Sequence, residues 1–369
     1  MVCTKALWFG IPGVLALLVI SFDIYLSLCL NSLPLTGAQL SKPQCYPSQR
    51  SIAYFIQISD SNIQMLPRLL SVLGTWSDDI LLHFDARINH TLIPQYYPSP
   101  SSARVSLLEP RQYLEWGKIS LTENTRAAMR DMLNHSQCWT HFIAMAPSAY
   151  PLLSGSDFHR VLHSTRFLNA SFGQFYDSKP LFWPDCDVEE SLRLKNKAIK
   201  KGEGWFIWSR NVAEYLSGSG RQESGQKIGT EWSMKLSCIK APDELFAQNV
   251  ILDDRSQSSL RDEIRNDHMY YIVWPMKATK HPNILHNVTK YWNSLQMSGS
   301  MFARKFVSAI DAKELLDKID LELHFSETQV HRVLSRMQSA CILSQQNCVG
   351  NTTFIPYQYD VFTAYKEVG

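Results

Sequence analysis

Two neighbouring carboxylates, Asp243 and Glu244, follow Pro242 at the head of an apolar run that begins with Leu245 and Phe246. Proline presets a first helical turn, and acidic side chains suit the positive end of a helix dipole. A carboxylate held at such a turn is rigid. Beside a partly apolar pocket it can act as a general base. Alone, the tripeptide reads first as a helix start with a solvated charge pair. Its company narrows the choice: Gly202-Glu203-Gly204-Trp205-Phe206-Ile207-Trp208-Ser209-Arg210 and Glu231-Trp232 lie upstream, and Phe302-Ala303-Arg304-Lys305-Phe306 lies far downstream. Asp185-Cys186-Asp187 has the spacing with which hard carboxylate oxygens hold Mg²⁺ or Mn²⁺. It does not end an apolar strand, however, and reads as a loop with Cys186 in a disulfide.

The elements that must position these groups follow from periodicity. Residues 51–58 form a near-continuous β-prone run, a capping cluster at Asp60-Ser61-Asn62 follows, and Ile63, Leu66, Leu69, Leu70 and Leu73 recur at helical spacing. Residues 80–84 are a second apolar strand ending in Asp85. Strand, helix, strand at this spacing predicts a βαβ unit in a parallel sheet, with ligands beyond the carboxyl ends of the strands. Further strands are expected at 104–108, 141–145, 204–209 and 270–274, and helices at 122–132, from 157 to 162, and at 211–216. On the 204–209 strand, Phe206 and Trp208 share one face and Trp205 takes the other. Residues 167–190 and 252–268 read as loop, and the basic stretch 193–201 as a solvated face.

In their order and spacing, these motifs resemble the core 2/I-branching β-1,6-N-acetylglucosaminyltransferase family, whose relatives include peptide O-xylosyltransferases and plant and algal branching-type enzymes. The resemblance runs from Ser51 to Phe306. Leu82-His83-Phe84-Asp85, Trp116-Gly117-Lys118-Ile119-Ser120, Tyr270 to Trp274 and Lys280-His281-Pro282 each look like a family segment. It implies an α/β fold of the glycosyltransferase A type, with a mixed, mainly parallel central sheet. It further implies an inverting, metal-independent transfer from a UDP-sugar, with no cofactor, to a glycan or glycoprotein hydroxyl. Glu244 is then the general base. Ile58 and Asp85 lie at the uridine and Lys280 and Lys305 at the diphosphate, while Trp205, Trp274 and Asp243 are the candidates for the acceptor side, with core packing the alternative for the two rings. N-acetylglucosamine in β-1,6 linkage is the first expectation for the sugar. Xylosyl or glucuronosyl transfer on the same fold, or a non-catalytic lumenal glycan-binding module, remain open. Two departures bear on this: Pro147-Ser148-Ala149 lacks the family's acidic side chain, and Lys280 stands for an arginine, keeping the charge without the bidentate fork.

Composition sets the frame. With 369 residues, 45% hydrophobic and 11% aromatic, the chain can bury a large core, and a net charge of +2 argues against nucleic-acid binding through a broad basic face. Residues 7–30 are almost wholly apolar and long enough to cross a bilayer. The expected organisation is a cytosolic tip (1–6), a transmembrane signal anchor (7–30), a stem (31–50), a catalytic domain (51–310) and a C-terminal extension packed on it (311–369). A cleaved signal peptide competes with the anchor. Six cysteines lie beyond the span, allowing three disulfides, with Cys341–Cys348 the first pair expected. Five sequons, at Asn89, Asn134, Asn169, Asn287 and Asn351, favour a Golgi or endoplasmic-reticulum lumenal address.

Overall fold

The computed structural model describes residues 45–349 apart from 77, 97–101, 220–222, 254, 256–257, 276–280 and 346–347. The expected anchor, the start of the stem, Lys280 and Asn351 lie outside the described residues. Among the described residues, no helix is long and apolar enough to cross a membrane.

The chain opens on β1 (Ser51–Ile58), a run buried along almost its whole length. Such a strand belongs in the middle of a parallel sheet covered on both faces. It pairs in parallel with β2 (Asp79–Phe84), which pairs in parallel with β3 (Arg104–Leu107). On its other side it pairs in parallel with β4 (Trp139–Met145). Four short strands follow: β5 (Ala149–Pro151), β6 (Ser171–Gly173), β7 (Tyr176–Ser178) and β8 (Ile199–Lys201). Then come β9 (Phe206–Ser209), β10 (Ile264–Asn266), β11 (Tyr270–Ile272) and β12 (Phe302–Arg304). The central sheet has the order β10-β6-β9-β4-β1-β2-β3, antiparallel only at the two β9 pairings. The fold is therefore mixed α/β with a mainly parallel central sheet. A smaller sheet has the order β11-β12-β5, and β7 pairs with β8.

Alternation along β1 divides the core into two layers. Ile52, Tyr54 and Ile56 join Leu66, Leu69, Leu70 and Leu73 of the helix Leu66–Leu73. Ala53 and Phe55 face Met129 and Met132 of the helix Ile119–His135, together with Phe206 and Trp208. Trp205 packs against the first layer, so the expected division of aromatic faces holds.

The loops expected at 167–190 and 252–268 contain β6, β7, β10 and a short helix, Ser258–Asp262. The basic stretch ends as β8 rather than as a purely solvated face. Three-residue strands are too short to show a period, and pairing with distant partners makes them. Three disulfides close the fold: Cys45–Cys138, Cys186–Cys238 and the expected Cys341–Cys348. The described residues from 311 to 345 dock on the domain. The Tyr150 hydroxyl donates to Asp320 at 2.8 Å, and Arg336 in the helix Glu327–Ser339 grips Asp267 with two bonds of 2.8 and 2.7 Å.

Candidate active site

The parallel strands β3, β2, β1 and β4 run their carboxyl ends to one edge, and the order reverses between β1 and β4. That reversal is the switch point at which open α/β sheets bind ligands. Beyond it lies the 146–148 loop, and the Phe306 amide donates to the Ser148 carbonyl at 2.8 Å. Because β12 runs antiparallel to β5 with Arg304 opposite Ala149, Arg304 and Lys305 are brought to the departed Pro147–Ala149 segment. Both are partly buried. Among the described residues, neither has a carboxylate within ion-pair distance. Burial lowers the Lys305 ammonium pKa, and the neighbouring Arg304 charge lowers it further. The Arg304 guanidinium lies 4.6 Å from the Trp205 ring centroid, and its Nε has no hydrogen-bond partner.

The acidic turn has a different form from the expected helix start. Ala241 adopts φ 53°, in the left-handed region, and Pro242–Glu244 is a single 3₁₀ turn. The α-helix begins only at Phe246. Two glycines let β8 and β9 approach this turn. The Gly202 amide donates to the Glu244 carbonyl at 2.9 Å, and a Cβ on Gly202 would sit 1.9 Å from the Gln174 carbonyl oxygen. A Cβ on Gly204 would press to 3.0 Å from Asp243 Oδ2.

Glu244 Oε2 meets Lys201 Nζ at 2.9 Å, with 31% of each side chain exposed. Burial works against the charge on Lys201, but the Glu244 carboxylate outweighs it and raises the pKa. Burial, and then the Glu244 charge, push Asp243 up to about 7. Its Oδ1 is buried without a hydrogen-bond partner. Glu203 is likewise pushed up to about 7 by burial, with Arg304 acting in the opposite direction. Tyr176, opposite Lys201 in the β7–β8 pair, rises to about 12 through burial. The turn thus carries one charge-paired carboxylate, Glu244, beside two acids that titrate near neutrality. Acids in a cleft whose pKa is perturbed by burial and specific neighbouring charges are candidates for acid–base chemistry.

The other sequence-derived positions fall in several places. Asp85, at the end of β2, is buried and fully engaged by its own chain. It accepts from the Arg87 amide (2.9 Å), Nε (2.7 Å) and Nη2 (2.8 Å), and from the Leu114 amide (3.1 Å). Burial acts to raise its pKa, but these bonds outweigh it and hold the carboxyl below its ordinary value. Ile58 is 2% exposed, and its carbonyl accepts the Asp85 amide at 2.9 Å. The half-exposed group at this edge is Arg87, whose guanidinium lies 4.6 Å from the Tyr113 ring centroid. Trp205 and Trp274 are both partly buried against the core. Asp185 and Asp187 are exposed on the disulfide-bearing loop, and no group of three or more metal-binding side chains occurs among the described residues. Sequence reasoning missed Lys201, Glu203 and Arg304 as site residues. The Lys-Gly-Glu-Gly spacing was the signal that could have found the first two.

A family model described as Core-2/I-Branching enzyme matches residues 52–291. The chain belongs to this family. The match includes Lys201, Glu203, Asp243 and Glu244. Xylosyltransferase sqv-6 of Caenorhabditis elegans is 23% identical over 180 residues, 44% of this chain and 22% of that protein. The chain therefore spans about a fifth of the length of the curated relative it matches. Among solved structures, a 4-diphosphocytidyl-2C-methyl-D-erythritol synthase from Anaerococcus prevotii is 11% identical, with a TM-score of 0.28 over 46% of this chain and 74% of that one. That likeness is too low to carry an argument.

Proposed function

We propose that this branching-family member is an inverting transferase that moves a sugar from a UDP-sugar to a glycan hydroxyl, with Glu244 as the general base. The observation that carries it is the acidic turn: a half-exposed carboxylate, oriented by Lys201, beside two acids poised near pH 7. Glu244 takes the acceptor proton as the hydroxyl oxygen bonds to the anomeric carbon and the bond to UDP breaks. Asp243 and Glu203 can each donate or accept a hydrogen bond near neutral pH, which suits ring hydroxyls. Arg304 and Lys305 stabilise the charge growing on the leaving diphosphate, acting as preorganised cations in a partly dry site. Lys280 adds to them, and the stapled Asp85 acts on the nucleotide by orienting Arg87.

N-acetylglucosamine in β-1,6 linkage is the proposed sugar, from the family resemblance. Xylose is the second reading, favoured by the similarity to a protein named as a xylosyltransferase. We place the domain in the Golgi lumen on a single-pass type II anchor at residues 7–30. Three disulfides and the exposure of Asn89, Asn134, Asn169 and Asn287 support a lumenal address. The test is transfer by the full-length protein from UDP-N-acetylglucosamine, UDP-xylose and UDP-glucuronate, with and without EDTA. EDTA-resistant use of one donor is the expected result. Activity abolished by EDTA contradicts the cation-assisted mechanism, and UDP binding without turnover on any acceptor contradicts the enzyme reading.

A further inference from the structure

Beside the catalytic turn lies a rim that the mechanism does not use. Trp183 is crossed by two ammonium groups, Lys118 Nζ at 4.3 Å and Lys240 Nζ at 5.1 Å from its ring centroid. Glu115, Asp185 and Asp187 are near in sequence. Yet among the described residues neither lysine has a carboxylate within ion-pair distance. A cation over an aromatic face at an exposed site gains only about 0.5–1 kcal/mol; Lys240 is exposed and Lys118 partly buried, and both charges stay available to an anion. The helix Ile119–His135 begins directly after Lys118 with no acid in its first turn, so its positive dipole end adds to the same field.

The rim is rigid and tied to the site. The Trp183 amide donates to the Cys238 carbonyl at 3.1 Å, the Lys240 amide donates to the Leu181 carbonyl at 2.7 Å, and Cys186–Cys238 links the two strips. Gly117, at φ 73°, lies on Trp183, and a Cβ there would stand 3.5 Å from its Cζ2. The Gly117 carbonyl accepts the amide of Ala241, the residue that starts the acidic turn, at 3.1 Å. Next to it Trp116 is 63% exposed, and the His281 ring lies 5.8 Å from its ring.

We propose that Trp116, Lys118, Trp183 and Lys240 form an acceptor subsite for an acidic sugar, a pyranose bearing a carboxylate or sulfate near the residue that is glycosylated. The inference rests on the glycan-transfer reading above and names its acceptor class. The sugar ring lies on Trp116 and its anionic group meets the two lysines. An acidic peptide would match the charge but would make no use of an exposed indole as broad as a pyranose.

The test is direct binding to the full-length protein, which needs no turnover. The probes are a chondroitin sulfate hexasaccharide, a neutral chito-oligosaccharide of equal length and a glutamate-rich peptide, each at low and at high salt. The sulfated probe is expected to bind about tenfold tighter than the neutral one at low salt, losing that margin at high salt. Lys118→Ala with Lys240→Ala removes the margin, with neutral-acceptor transfer and UDP binding unchanged, while Trp116→Ala weakens both oligosaccharides. Equal binding of sulfated and neutral probes, an unaltered margin in the double variant, or tighter binding of the peptide would overturn the proposal. Absence of transfer with the margin intact would count against the transferase reading and for the binding site.

Discussion

At the scale of single residues, the site is a problem in placing negative charge. Three carboxylates share one turn and the β8–β9 connection, opposed by Lys201 and Arg304, and the cost falls on Asp243 and Glu203, both pushed up to about 7. The sign for stability follows. A carboxyl whose folded pKa lies above its ordinary value of about 4 holds its proton more tightly when folded, so stability falls as pH rises from about 4 to about 7. Asp243→Asn and Glu203→Gln remove that loss. Each is expected to raise unfolding free energy at pH 8 by on the order of 1 kcal/mol, allowing for partial exposure, and to leave it unchanged near pH 4. Urea unfolding at the two pH values measures this; a gain that is the same at both would contradict it.

At the scale of elements, the decisive contact is β8 against the 3₁₀ turn. Gly202 has room for no side chain beside the Gln174 carbonyl. Gly202→Ala is therefore expected to cost about 1–3 kcal/mol of stability, as overpacking does, and to displace Glu244. Thermal unfolding together with transfer assays checks it: a variant with unchanged melting and activity would show that the glycine is incidental. The long elements were legible in the sequence. The 51–58 and 80–84 strands and the Leu66–Leu73 stripe carry their period in enough residues to be read alone, and Phe206 and Trp208 fell on the expected face. Strands β6, β7, β8 and β10 were not legible, because three residues carry no period and their pairing partners lie far along the chain. The site divided the same way. Glu244 and Lys305 were singled out by their sequence motifs, whereas Lys201, and Glu203 and Arg304 within the quoted motifs, join the candidate site only when β8, the β8–β9 connection and β12 meet the turn. Asp85 was found at the strand end where it was expected, but its Arg87 and Leu114 partners could not be read from its type.

At the scale of the whole molecule, three disulfides and the docked C-terminal helices brace the described domain. In the chain-entropy account a cross-link stabilises more as its loop lengthens. Cys45–Cys138 spans 93 residues and Cys341–Cys348 only 7. Replacing the first pair by serines is expected to cost about 4–5 kcal/mol and the second about 2–3 kcal/mol. Denaturant midpoints of the two variants give the order, and a larger loss from the short loop would contradict it. The first bridge also joins the start of the described chain to the foot of β4, so its loss loosens the sheet at the end opposite the acidic turn.

The measurement that tests the central claim most directly compares Glu244→Gln with the wild-type full-length protein, reading sugar transfer and UDP affinity in the same preparation. The amide keeps the shape of the side chain and removes its capacity to take a proton. Transfer is expected to fall by about 10²- to 10⁴-fold with UDP affinity unchanged. A variant that transfers sugar at the wild-type rate would remove Glu244 from the role of base and, with it, the mechanism proposed for this turn.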